Sequence, residues 1–461
     1  MRLFAFLGLV VFVQCTNPEV PLRWERFRGL NGSGVAEVGG LPVAFENVVF
    51  RTEAPAGNSS PVLDVDQVYL TGQRGDQLIT LALDRFTGKV RWERTVSSHD
   101  QSPLVSPNTA ASPTPAVDGR RVYVFFQDFG LVAYDRDGQE QWRRPLGPFN
   151  NIYGLAASPI VVRGSVVLVC DQQTGSFMIA LNKNSGEVLW RVERPEAANG
   201  YATPVTDPAS GHLLVPGSFH LAGYDPTEGS RLWQVGGLTW LYKSSPVEAE
   251  GVVFVSGYGS AHVRQTNIES FEQALEAWDR NGDGRLGQEE LQGQIRDWFI
   301  GLDRDADSLI SRPEWDFYRQ MMAGEGGLYA IRLPRGDATA GVIWHYSRTV
   351  PEVSSVLLYR GVLYMINDGG RLIALDPDTG EVLKQGRLKG AADQYFASPV
   401  AGDGKIYFTS RVGAVAVVEA GRDWRELTVN HLDEECYATP ALADGHIYIR
   451  TASHLYCIGG S

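Results

Sequence analysis

Cysteine is scarce in this chain, with four residues in 461, and methionine is little commoner at five. So few thiols exclude the disulfide-stapled scaffold that small secreted domains use to supplement a weak core. Long apolar runs are missing too. The stretch Leu3–Val13 falls well short of the roughly 20 residues that a membrane-spanning helix needs, so no transmembrane segment is expected. Charged residues make up only 21%, and the formal net charge of −13 has the wrong sign for a nucleic-acid partner. The eight histidines form neither a His-Glu-x-x-His motif nor a zinc-like cluster, and no Gly-x-Ser-x-Gly elbow is present. His99, Asp100 and Ser102 are close in sequence, but proximity along a chain does not make a triad. Asp433-Glu434-Glu435 reads as a solvated acidic loop. No residue is assigned a catalytic role.

What is present is 43% hydrophobic residues and 51 glycines, the make-up of a folded, turn-rich chain. Arg2 followed by Leu3–Val13 reads as an export signal ending at Cys15, with a leader over 16–46. That places the protein in the periplasm or outside the cell. Lipid anchoring at Cys15 is disfavoured, because Gln14 is bulkier than the residue bacterial lipoproteins carry there. Export leaves Cys170, Cys436 and Cys457, an odd count that permits at most one bridge. Cys436 and Cys457 share the last repeat, so a bridge between them is open; buried apolar thiols are the expectation.

From about residue 60 one unit recurs. It opens with Ser/Thr-Pro, enters a Val/Ile/Tyr-rich strand, and reaches a second strand ending in Ala-Leu-Asp or a relative. A turn of Thr-Gly type and a strand carrying Trp follow, as in Leu81-Ala82-Leu83-Asp84-Arg85-Phe86-Thr87-Gly88-Lys89-Val90-Arg91-Trp92. Further units start at Thr114, Ser158, Thr203, Ser245, Ser354, Ser398 and Thr439, mostly 41–46 residues apart. In the turns, Asp84, Asp135, Asn182, Asp225 and Asp376 can accept from amides two residues on, and Gly88, Gly138, Gly186, Gly229 and Gly380 supply a positive φ. Units of this length built from short strands predict an all-β, eight-bladed β-propeller. The last unit lacks its Trp strand, and Asn47–Glu53 supplies a matching one. Closing the ring through the chain ends would remove exposed sheet edges.

One interval is too long, and residues 260–326 account for the excess. The propeller would therefore run over 47–259 and resume in 327–461, with 260–326 inserted between the second and third strands of blade five. This segment holds fourteen acidic against seven basic residues. It contains two twelve-residue loops, Asp279–Glu290 and Asp303–Glu314. Oxygen ligands fall at positions 1, 3, 5, 7 and 12: Asp279, Asn281, Asp283, the Arg285 carbonyl and Glu290, then Asp303, Asp305, Asp307, the Leu309 carbonyl and Glu314. That spacing wraps a hard cation in oxygens, so a small α-helical EF-hand pair carrying calcium is predicted. Ser308 stands where the first loop has Gly284, which predicts a weaker second site. Thr266–Glu269 reads as a capping box for the entering helix, and one helix over 291–302 must serve both loops.

The Ala-x-Asp-x-x-Thr-Gly-x-x-x-Trp turns resemble the tryptophan-docking motifs of the pyrroloquinoline-quinone-type propeller repeat family, and Trp24–Gly34 resembles the leader of its exported bacterial members. The resemblance implies either a non-catalytic scaffold or a quinone-dependent (PQQ) oxidoreductase using the central channel. Some relatives assist outer-membrane protein assembly. The dehydrogenases stack their quinone on a ring of two adjacent cysteines, and this chain has no Cys-Cys pair. The expectation is thus a monomeric, calcium-binding scaffold that engages a protein or polysaccharide partner on a propeller face.

Overall fold

The computed structural model describes residues 24–98, 104–258 and 267–460. The export signal with Cys15, the His99–Ser102 cluster and Thr266 lie outside the described residues. Eight four-stranded antiparallel sheets follow one another along the chain, and the eighth is completed by the N-terminal strand Val48–Glu53, which pairs with His454–Gly459. The fold is an eight-bladed all-β propeller. In the third blade, Ile160–Val162 is innermost, followed by Ser165–Cys170, Phe177–Asn182 and Val188–Glu193. Ser165–Cys170 is buried throughout because each face packs on a neighbouring blade, whereas the outer strand buries mainly Trp190. The core accordingly lies between blades. Tyr123, Phe125 and Trp142 of the second blade, for example, share one cluster with Val166, Leu168 and Ile179 of the third.

Two devices join the blades, and each explains a recurring residue. The first uses the opening Ser or Thr. The Ser60 amide donates to the Thr114 hydroxyl, Thr114 to Ser158, Ser158 to Thr203, and Thr203 to Ser245. Ser245 donates to Ser355, Ser355 to Ser398, Ser398 to Thr439, and Thr439 back to Ser60, so the circle closes with every bond at 2.9–3.0 Å. A following proline favours the extended backbone that this geometry uses. The second device is the tryptophan. Trp142 donates its indole N–H to the Lys183 carbonyl at 3.0 Å, and its ring covers Gly186 of the next blade's turn, where a Cβ would come within 2.7 Å. Gly186 has φ +72, so both space and backbone require glycine. Trp92, Trp190 and Trp344 dock in the same way on Gly138, Gly229 and Gly380.

Departures from the repeat have local causes. The fifth blade has no Asp-x-x-Thr-Gly turn, and Trp233 bonds to His212 instead. Lys384, in place of a tryptophan, bonds to Asp423 and the Trp424 carbonyl and lies over the Trp424 ring. At the ring closure Phe50 occupies the tryptophan's place over Gly88, and Thr52 donates to the Gly88 carbonyl. Arg51 of that closing strand reaches Glu434 at 2.8 Å. The sequence reading of Glu434 as part of a solvated loop is thereby corrected. Its carboxylate also accepts from Thr451 and Ser453 and pairs with His454. Burial pushes the Glu434 carboxyl up, but these hydrogen bonds and the neighbouring charge outweigh it and hold it at about 2. A depressed carboxyl stabilises the fold above its ordinary value of 4.5, and that contribution drains away as pH falls toward 2. Glu434→Gln is therefore expected to melt below the parent at pH 7, with the gap closing between pH 4.5 and 2 in parallel thermal melts. A gap independent of pH would contradict this.

Before the closing strand, the leader crosses one end of the axis. Trp24 exchanges backbone hydrogen bonds with Leu63, the Glu25 carbonyl accepts from Val117, Asn31 bonds to Thr206, and Gly34 and Ala36 bond to Ala401. Arg28 is fully buried and donates to the Val356 carbonyl at 2.7 Å; burial lowers its guanidinium to about 9. One segment thus ties together blades one, two, four, six and seven.

The segment between Val252–Gly257 and Gly327–Arg332, the second and third strands of blade five, leaves the sheet at the loop end. Its helix Phe271–Trp278 starts at Ser270, whose side chain and that of Gln273 form the capping box, four residues after the one anticipated at Thr266. The single helix expected over 291–302 is two short ones, Gly293–Asp297 and Phe299–Leu302, broken at Trp298. Gly293 and Gly301 lower helix propensity, and so short a span has little cooperative gain to resist the break. Trp298 is left partly exposed, while Phe271, Leu291, Phe299, Leu302, Trp315, Tyr318 and Met322 form a separate small core. Cys170, Cys436 and Cys457 are free and buried, so no bridge joins the last two.

Candidate functional site

The inserted module brings the ten sequence-predicted ligand residues into two matching loops. In the first, Asp279 accepts from the Gly282 and Gly284 amides, Asn281 from Asp283, and Asp283 from Arg285. Glu290 folds back to accept from Arg280 and Gly287, both at 2.8 Å. The second loop repeats this: Asp303 accepts from Asp307 and Ser308, Asp305 from Asp307, Asp307 from Leu309, and Glu314 from Arg304 and Ser311. The loops pair back to back through Leu286–Ile310 and Gly287–Leu309, and the Arg285 side chain bridges to Asp307. Carboxylate oxygens of Asp303, Asp305 and Asp307 lie within 4.8 Å of one another. Burial, together with the charges of Glu314 and Asp307, raises the Asp303 carboxyl above its ordinary value. Such crowding of anionic oxygens suits a hard divalent cation. Ser308 adopts φ +69 where Gly284 has φ +78, a conformation that carries a steric cost only for the serine.

The module is not a free appendage. Gln173, in the loop between the second and third strands of blade three, donates to the Ile300 and Asp303 carbonyls, and Arg304 donates back to the Gln173 carbonyl at 3.1 Å. Phe317 packs edge-on against Phe219 and Trp240, with Arg304 over its ring. In the same loop as Gln173, Asp171 forms a buried bidentate pair with Arg194, at 2.8 and 3.0 Å, and Tyr224 and the Pro216 carbonyl accept from the remaining donors. Burial pulls the Arg194 guanidinium down, but Asp171 more than restores it. The sequence carried no signal for this anchor, since its partners come from different loops and strands.

On the axis, a cavity of about 370 Å³ opens toward the same loops. Phe27 of the leader forms its floor, the hydroxyl circle its wall, and Tyr153, Tyr201, Tyr395 and Tyr437 much of its rim. Lys243 is the one basic residue lining it among the described residues. It is paired with Glu352 at 2.6 Å and lies over Tyr153. The remaining acid, Asp368, accepts from the Tyr395 amide. Pyrroloquinoline quinone is a planar tricarboxylate, and one neutralised lysine beside two carboxylates does not fit it. No pair of cysteines faces the cavity either. Elsewhere, Ser453, His454 and Glu434 touch, but the serine and the carboxylate meet the same imidazole nitrogen, so no proton relay runs through the ring.

Comparison with known proteins fits this geometry. The family described as outer membrane protein assembly factor BamB matches residues 35–177, 107–287 and 319–459. The chain belongs to that family. Two relatives carrying this description, from Shewanella oneidensis and Yersinia pestis, are each 22% identical, over 66% and 77% of this chain and 84% and 82% of their own length. Among solved structures, BamB from Moraxella catarrhalis superposes with a TM-score of 0.55 at 11% identity, over 89% of this chain and 98% of its own. A europium-containing methanol dehydrogenase gives 0.60 at 12%, over 94% and 90%. At these identities the structures speak for the propeller fold alone. No described helix is long and apolar enough to cross a membrane.

Proposed function

We propose that the protein is an exported, non-catalytic scaffold of the BamB family that binds protein partners through its loop face, and that its inserted module is an EF-hand pair loaded with calcium. The observation that carries this reading is the bonding of Gln173 to the first residue of the second loop, which connects cation binding to the loop face itself. Relatives are described as assembly factors for outer membrane proteins, and the loops around the axis offer the surface such a role needs. Asp279, Asn281, Asp283, Glu290 and the Arg285 carbonyl would hold one ion, and Asp303, Asp305, Asp307, Glu314 and the Leu309 carbonyl the other.

Calorimetry on the full chain is expected to show two calcium ions bound, the first loop more tightly, with dissociation constants of about 10⁻⁴ to 10⁻³ M as in extracellular modules. Ser308→Gly removes the strained residue and should tighten the second site roughly tenfold. Chelation should expose the module to limited proteolysis. A chain that takes up no calcium, or whose melt and proteolysis ignore chelator, would overturn the calcium part; loop-face cross-linking to periplasmic proteins tests the scaffold part separately.

A further inference from the structure

The axial cavity remains unassigned, and its walls have an unusual chemistry. Each of the eight hydroxyls in the blade-joining circle already accepts a neighbouring amide, so its own proton is free to donate inward. The wall is therefore a ring of donors. Above it the apolar surface is aromatic: Tyr153 lies near Tyr201, and Phe396 meets Tyr437 edge-on at 5.2 Å. Tyr201 is 7% exposed and lines the cavity. The Lys243–Glu352 pair leaves no spare positive charge to hold an anion. The innermost strands are only two or three residues long, too short to pair with an extended peptide. The leader shuts the far end, so a ligand enters and leaves from the loop face alone.

We propose that this blind cup binds a neutral saccharide, one or two sugar units deep. Acceptor oxygens of the sugar meet the hydroxyl ring, and its C–H faces lie on the aromatic rim. The match is between a ligand rich in hydroxyls with flat apolar faces and a wall of donors beneath π surfaces, which Tyr supplies together with a polar tip. The assignment rests on the scaffold reading, adding a small-molecule ligand to the same loop face.

The test titrates the full chain, by calorimetry and saturation-transfer NMR, with maltotriose and tri-N-acetylchitotriose, and with trigalacturonate and pyrroloquinoline quinone as anionic comparisons. At least one neutral trisaccharide should bind, the anions should not, and Tyr437→Ala or Tyr153→Ala should weaken binding about tenfold or more. Both tyrosines are only half-buried at the rim, and an unchanged melting temperature verifies that each variant folds. Silence with both neutral sugars at millimolar concentration overturns the proposal, as does sugar binding indifferent to both substitutions or preferential binding of either anion. Loop-face cross-linking to protein partners that persists in the face of such silence would leave the scaffold reading standing and remove the saccharide alone.

Discussion

Arg194→Ala is expected to lower stability by about 3–5 kcal/mol, because it strands Asp171 as an unpaired charge 2% exposed. The loss has three parts. Asp171 keeps its desolvation penalty without its partner, the Pro216 carbonyl and Tyr224 hydroxyl lose a donor, and the third and fourth blades lose a shared tie. Asp171→Ala should be comparably damaging, since it leaves the guanidinium buried with no countercharge. The double replacement Arg194→Met with Asp171→Leu should recover much of the loss, because removing both charges removes the desolvation cost with them. Chemical denaturation of the four proteins checks the cycle. Equal damage in the double variant would mean that the pair is not the source. The same substitutions reach the module. Gln173 shares its loop with Asp171 and bonds to the module, so protease access to the inserted segment should rise in Arg194→Ala before global unfolding begins.

Trp142→Ala carries the second large effect, about 3–5 kcal/mol. Trp142 is 7% exposed, and its removal empties the space over Gly186, frees the Lys183 carbonyl, and loses contacts with Tyr123. Trp142→Phe should retain part of the burial but not the hydrogen bond, and so fall between the two. The melting temperature of both variants reads this directly. Trp233→Ala should cost less, because no next-blade turn receives that ring and the side chain bonds only to His212 at 3.4 Å. An equal loss at both positions would show that docking into the turn contributes nothing beyond area.

Most of the architecture was legible because a repeat states the same physics many times. The Asp-to-amide turn, the glycine at positive φ and the tryptophan after it are local and periodic, so eight units and the closing strand followed from spacing. Phe50 in a tryptophan's place was harder to read, yet Val48–Glu53 still matched the missing strand by pattern. The module's two loops were equally local, each a contiguous dozen residues with ligand types at fixed positions. Where local signals were weak the reading slipped: the first helix is capped at Ser270, beyond the expected Thr266, and glycines at 293 and 301 interrupted a helix that apolar spacing alone had suggested. Glu434 was misread for a different reason. An acidic triplet in a loop is ordinarily solvated, and nothing nearby in sequence announces that Arg51, some four hundred residues earlier, will come to meet it.

By itself, then, the sequence determined the repeat, the blade number, the place of the insertion and the two matching acidic loops within it, since each is set by short-range spacing and backbone preference. Only the tertiary structure decided how these parts act on one another. Closing the ring aligned eight separate hydroxyls into one circle, carried the leader across the axis to make a blind cup, and set the second loop on Gln173. Such contacts join residues tens to hundreds of positions apart, and their energy exists only once the blades have packed.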